Sequence, residues 1–374
     1  MNTNSDKKNE IPFSSNVIRL SIRQWIVVAV VCCSAVILIP AVWERLDDFS
    51  PGEDYRQPYE LSNDYWQYQR YCRLACREYD TVVIGDSFVW GHYVSEHNTL
   101  SHYLNEQVGS EQFANLGLDG VHPVAMEGLL RYYGRDIKNK NIILHFNPLW
   151  MSSPKHDLQT DKEFNFNHPK LVAQFSPKIP CYKASFSTKI SNVVKRYIPF
   201  SGWTFHLNII SFDNVGMSEW TFENPYKNPI KALTFRLPEK DEYEKADMTG
   251  RAESKNAVNG FQWVQPEESL QWKFFQRSIR LLEERGNKIF VLVGPFNEHI
   301  LEGESKNSYM SLKNKVELWF QLHDINYFVP QALPAEFYQD ASHPVDRGYE
   351  IIAEQLFENA VFKAFILQNS KPSQ

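Results

Sequence analysis

The feature that most constrains this chain is a run of 20 residues, Gln24 to Trp43, without one charged side chain. As a helix such a run spans roughly 30 Å, the hydrocarbon thickness of a bilayer. Inside lipid only a helix or a closed barrel satisfies every backbone N–H and C=O, and one short apolar run can only be the former. Trp25 and Trp43 stand at its two ends, where indole rings favour the membrane interface. Lys7, Lys8, Arg19 and Arg23 precede the run; Glu44, Asp47, Asp48, Glu53 and Asp54 follow it, with Arg45 and Arg56. The positive-inside bias predicts residues 1–23 as a disordered cytoplasmic tail, 24–43 as a membrane anchor, and the rest on the periplasmic or extracellular side. A cleaved signal peptide is the competing reading. It fits less well, because the apolar run is long and no small-x-small cleavage site follows.

Beyond residue 44 the chain reads as a folded body. Hydrophobic residues make up 43% and charged ones 22%, which excludes a disordered chain. The formal net charge of −6 carries no basic cluster of the kind a nucleic-acid partner would need. Residues 44–79, rich in Tyr, read as a connector with a short helix. Thr81-Val82-Val83-Ile84 is a short apolar run ending at Gly85, the pattern of a strand buried on both faces. Similar runs lie at 113–116, 141–146, 288–293 and 326–329. Helical spacing fills 95–108, 123–138 and 346–365. Strands alternating with helices predict an α/β domain over 80–365, with a parallel sheet covered on both faces. The stretch from about 150 to 265 breaks this rhythm and reads as an insertion; residues 366–374 read as a tail.

In such sheets ligands bind beyond the carboxyl ends of the strands, so the residues there are the candidates. The first strand is followed by Gly85-Asp86-Ser87-Phe88, the second by Asn115-Leu116-Gly117-Leu118-Asp119-Gly120, the third by Asn147-Pro148. Asp340-Ala341-Ser342-His343-Pro344 precedes the last helix. A serine hydroxyl needs an adjacent base to become a nucleophile, and a histidine oriented by a carboxylate supplies one. Ser87, His343 and Asp340 fit those three roles. The tetrahedral intermediate then needs preorganised donors. The N–H of Ser87, that of Gly117 or Gly120, and the Asn147 amide are the candidates.

These four blocks resemble those of the SGNH (GDSL-type) hydrolase superfamily. Gly85-Asp86-Ser87-Phe88 is similar to its nucleophile block, with Phe where Leu is common. Gly117 and Asn147 fall where the family places its oxyanion glycine and asparagine, although His145-Phe146-Asn147-Pro148 departs from the usual Gly-x-Asn-Asp. Asp340-Ala341-Ser342-His343-Pro344 with the following Gly348-Tyr349-Glu350-Ile351-Ile352-Ala353 resembles its closing block. The resemblance covers roughly 80–150 and 285–365. It implies a flavodoxin-like three-layer α/β/α sandwich and ester chemistry through an acyl-serine, with no cofactor. It further implies hydrolysis of esters or transfer of acyl groups, for membrane-anchored members on envelope or exported polysaccharide. The substrate expected is an acylated glycan or a small ester, and a multispanning membrane acyltransferase is a candidate partner. The alternative is a non-catalytic scaffold of the same fold serving such an acyltransferase.

The remaining features are less directive. His145 reads as a core histidine sooner than as part of the site. Trp90 reads equally as pocket wall or packing. The aromatic insertion is a candidate for stacking on sugar rings. Lys183, Lys189, Lys195 and Arg196 read as a solvated face, and Glu239-Lys240-Asp241-Glu242 as an exposed loop. Cys72, Cys76 and Cys181 lie outside the apolar run, and their pairing is open. No residues stand at metal-ligand spacing and no phosphate-binding loop is visible.

Overall fold

The computed structural model describes residues 20–238 and 261–367. The exposed loop read at 239–242 lies outside these, as do the tail expected at 1–23, except for 20–23, and most of 366–374. The chain divides into two units, residues 1–48 and 49–374.

Among its described residues the first unit holds one helix, α1, Ile22–Leu46, long and apolar enough to cross a membrane. It extends the predicted 24–43 by a few residues at each end. Ser21 and Gln24 explain its start: the Ser21 side chain accepts from the Gln24 N–H while the Gln24 side chain accepts from the Ser21 N–H.

The second unit is built on a five-stranded, wholly parallel sheet. Its strands are β1 (Thr81–Ile84), β2 (Phe113–Asn115), β3 (Asn141–Phe146), β4 (Lys288–Val293) and β5 (Asn326–Phe328). Their order across the sheet is β2-β1-β3-β4-β5. This is the flavodoxin-like order, whose chain reverses its direction of winding between β1 and β3. Alternate residues of each strand face opposite layers. Val82, Ile84, Ile142 and Leu144 join one core, with helices α2 (Tyr65–Glu78) and α5 (Pro123–Tyr132). Val83, Ile143, Phe290 and Leu292 join the other, with α3 (Ser87–Trp90) and α4 (Leu100–Val108). Both faces are therefore covered, as the near-continuous apolar strands require.

Several boundaries differ from the sequence reading. The helix expected over 123–138 ends at Tyr132, and the strands expected over 113–116 and 326–329 end at Asn115 and Phe328. The helix expected over 95–108 begins only at Leu100, because Thr99 caps it, and a separate 3-10 turn, Glu96–Asn98, precedes it. The last helix breaks at Asn359, whose side chain accepts from Phe362 N–H and restarts the chain as a second helix. The segment read as a connector is more than that. Most of α2 is buried, with Tyr68, Tyr71, Cys72 and Ala75 in the core beneath the sheet. Tyrosine rings supply the apolar area, and their hydroxyls reach the carbonyls of Leu116 and Tyr55.

The long segment after β3 carries helices α6 (Phe186–Lys195), α7 (Pro199–Ser211), α8 (Met217–Glu223) and α9 (Pro229–Ala232). It returns beside its point of departure: Gln262 N–H donates to Ser152 O and Val264 N–H to Met151 O. Helix α10 (Leu270–Glu283) then leads into β4, α11 (Gly303–Leu322) into β5, and α12 (Asp346–Glu358) and α13 (Ala360–Leu367) close the chain. Arg196 is not a solvated residue: its guanidinium donates to the carbonyls of Lys170 and Val172 and lies over Tyr132. All five cysteines are free thiols. Burial pushes the Cys76 thiol up to about 11, against the opposing Lys140 charge.

Candidate active site

The winding of the sheet reverses between β1 and β3, and the residues leaving those two strands meet there. After β1, Gly85 allows close approach, since a Cβ would stand 2.4 Å from Val89 Cγ2 and 2.7 Å from His145 Cβ. Asp86 then caps the one-turn helix α3, accepting from Phe88 N–H at 3.1 Å. Gly91, at φ +93°, ends that turn. The result places Ser87 at the first helical position with its N–H outside the helical ladder.

A loop from the far end of the chain comes to Ser87. Gln339 N–H donates to His343 O and Val345 N–H to Phe337 O, which folds 337–345 into a tight antiparallel loop. Gly348 lets that loop sit on α12; a Cβ there would meet Pro344 Cβ at 2.6 Å. Tyr349 fixes α12 to the serine turn, donating from its hydroxyl to Phe88 O at 3.0 Å while its ring stacks on Phe88. Phe88 lies between Tyr349 and His145, ring centroids 5.1 and 4.5 Å away, a slot suited to a flat ring.

The loop delivers His343 with Nε2 2.7 Å from Ser87 Oγ. Its Nδ1 lies 2.9 and 2.8 Å from the two Asp340 oxygens. Asp340 Oδ1 also accepts the N–H groups of Ser342 and His343, so the carboxylate is held by its own loop. Burial works against the imidazolium, but the charges of Asp340, Asp86 and Asp119 outweigh it and lift His343 above its ordinary value. Burial likewise raises Asp340, and His343 with the two N–H donors more than reverses it. A hydroxyl, an imidazole and a carboxylate in line are the arrangement through which a base can activate a nucleophile.

Beneath Ser87 lies a second Asp–His pair. Asp86 Oδ2 accepts from Asn147 Nδ2 and from Trp150 Nε1, both at 2.8 Å. His145 Nδ1 stands 3.0 Å from Asp86 Oδ1, and His145 Nε2 is 2.9 Å from Gly294 O. Burial would raise Asp86, but His145 and Asn147 override it and hold the carboxyl at about 2. His145 is thus the core histidine read from the sequence, 2% exposed.

The expected oxyanion donors separate. Asn147 reaches the site, with one amide hydrogen on Asp86 and its oxygen accepting Leu149 N–H. Gly117 does not offer its N–H, which donates to Asn115 Oδ1 at 3.0 Å. Its reason for being glycine is packing rather than a positive φ: a Cβ would stand 2.3 Å from Trp90 N. Gly120 does take a positive φ, +67°, and faces the Asn167 side chain. Trp90 is packing, its indole N–H on Gln57 O and Arg56 over its ring at 4.2 Å.

Sequence reasoning missed His92. Its Nδ1 is 3.0 Å from Asp119 Oδ1, and its ring centroid is 5.0 Å from that of His343. Only its place one turn after Ser87 hinted at this. Asp119 also lines a cavity of about 730 Å³ bounded by Tyr59, Phe166, Asn167, His168 and Asp213 among others.

The fold and site define a parallel α/β protein with a Ser–His–Asp array at the reversal of its sheet. No protein-family model matches the chain, and no curated protein matches it.

Proposed function

We propose that this protein is a membrane-anchored serine enzyme of SGNH type, acting on acyl esters through an acyl-serine. The observation that carries the reading is the unbroken line Ser87 Oγ, His343 Nε2, His343 Nδ1, Asp340. In this reading His343 takes the Ser87 proton as Oγ attacks the ester carbonyl. Asp340 stabilises the imidazolium, which then protonates the leaving alcohol. The Ser87 N–H and the second Asn147 amide hydrogen stabilise the oxyanion. Water or a sugar hydroxyl then takes the acyl group, with His343 again the base.

The substrate in this proposal is an O-acyl group of an envelope or exported polysaccharide. The cavity beside Asp119 supports it, being open, with Asn63, Asp119 and Asn167 for hydrogen bonds and Tyr59 and Phe166 for the faces of sugar rings. The triad stands outside that cavity's lining and connects to it through Asp119 and His92. The apolar helix α1 supports a position at the membrane, with residues after 46 on the outer side by charge bias.

The test is intact-mass analysis of the full chain in detergent after a pulse of a fluorophosphonate, beside Ser87→Ala. One adduct on the wild type alone is expected. An unmodified wild type, or equal labelling of both proteins, would overturn the reading.

A further inference from the structure

Among the described residues, one aspartate and two histidines away from the triad bring their ligand atoms close enough together to hold one ion. Asp54 lies in the segment that leads into the body, His97 in the 3-10 turn Glu96–Asn98, and His102 in the first turn of α4. His97 Nδ1 is 3.0 Å and His102 Nδ1 2.7 Å from the same oxygen, Asp54 Oδ2. The Asp54 side chain is only 6% exposed, and its other oxygen, Oδ1, is buried without a hydrogen-bond partner. The outer ring nitrogens also face carboxylates: His97 Nε2 is 3.6 Å from Glu96, and His102 Nε2 is 3.5 Å from Glu106.

Hydrogen bonds among these side chains crowd both Nδ1 atoms onto one Asp54 oxygen and leave the other buried and unpaired. A cation at the centre engages both oxygens and both rings. Both Nδ1 lone pairs and the Asp54 oxygens face the ion, and both Nε2–H groups face Glu96 and Glu106. Histidine ligands backed by carboxylates on the outer nitrogen are the usual construction of such centres. Donors bound about 2.1 Å from a tetrahedral ion stand roughly 3.4 Å apart, so the contacts at 3.0 and 2.7 Å must open by well under 1 Å to admit one.

We propose that Asp54, His97 and His102 bind a divalent transition-metal ion, with Zn²⁺ the best fit, and leave a fourth position to water. Two imidazoles and one carboxylate suit zinc, cobalt, nickel or copper, whereas magnesium and calcium favour all-oxygen sites. His97 is 62% exposed, which leaves the ion a path from solvent. The site ties the entering segment at Asp54 to α4 on the body, independently of the triad.

The experiment uses the full chain in detergent, stripped with a chelator and desalted. Titration with Co²⁺ should give the visible bands of a tetrahedral nitrogen–oxygen site, and one equivalent of Zn²⁺ should displace it. Glu106→Gln should weaken binding on the order of 10–100-fold, and His97→Ala by more, since it removes a ligand itself. Fluorophosphonate labelling of Ser87 should be unchanged in both variants, which keeps this result separate from the fate of the esterase reading. Failure of the wild type to take up Co²⁺ or Zn²⁺ would overturn the proposal, leaving a trio joined only by hydrogen bonds. So would equal affinity in His97→Ala, or a sulfur-to-cobalt charge-transfer band that assigns the metal to the free cysteines.

Discussion

Two Asp–His pairs lie on either side of Ser87 and do different work. His343 is held by Asp340 through Nδ1 and turns Nε2 to a hydroxyl 2.7 Å away. His145 sits by Asp86 through Nδ1 and turns Nε2 to a backbone carbonyl, Gly294 O. A carbonyl oxygen accepts only, so the second imidazole must donate there and offers no base to substrate. The Asp340 side chain keeps 36% of its exposure, whereas that of Asp86 keeps 2%. The comparison teaches that what faces its free nitrogen decides whether an Asp–His pair is able to serve as a base. The buried pair is a fixture that holds Asn147 and Trp150 around the serine turn.

The largest break in this comparison is His343→Ala, expected to slow acylation of Ser87 on the order of 10⁶-fold with the melting temperature little changed. Asp340→Asn should slow it on the order of 10⁴-fold, as the imidazole loses its orienting partner. A stopped-flow assay with a p-nitrophenyl ester measures both; a loss under tenfold in either would remove that residue from the triad. His145→Ala should do the reverse, lowering stability by about 3 kcal/mol in urea unfolding because Asp86 loses a buried partner. A stable His145→Ala protein with no acylation would make His145 part of the chemistry and erase the distinction.

Asn147→Ala should cost on the order of 10²–10³ in rate if its second amide hydrogen meets the oxyanion. An unchanged rate would leave Asn147 only its bond to Asp86. The smallest effect is on pH. His343 must be neutral to act as base, and Asp340 lifts it above the ordinary 6.5. The acylation rate should therefore rise about tenfold per pH unit on the acid side and level off above a midpoint higher than that value. The residual rate of Asp340→Asn should level off at a lower pH. Asp86 contributes in the opposite sense for stability. Its carboxyl is depressed to about 2, so its contribution is full above the unfolded value of 3.8 and is lost as pH falls toward 2.

Much of this molecule was legible before folding was considered. Strands β1 to β4 are short runs buried on both faces, and that burial leaves its mark in the sequence; β5, at the edge of the sheet, is only partly buried. Ser87, Asp340 and His343 stood out because each follows a strand or opens a helix, where α/β folds put their sites. Helix α2 was harder to read, because tyrosines pack and hydrogen-bond at once, and their spacing resembles that of a polar linker. The N–H of Gly117, expected at an oxyanion, is instead taken by the Asn115 side chain two residues before it, and spacing alone does not show which partner a backbone N–H finds.

The sequence by itself determined the alternation of strands and helices, the apolar helix α1 and the residues at the strand ends, because these depend on local periodicity and charge. Only the tertiary structure decided which of those residues meet. Ser87 and His343 are 256 residues apart, and the Nε2 atoms of His343 and His145 face distant atoms, Ser87 Oγ and Gly294 O. The convergence of Asp54, His97 and His102 left no spacing to read, since Asp54 is 43 and 48 residues from its two partners. Hydrogen bonds and charges act over a few ångströms, and a chain brings such distances about between residues whose separation in sequence says nothing of them.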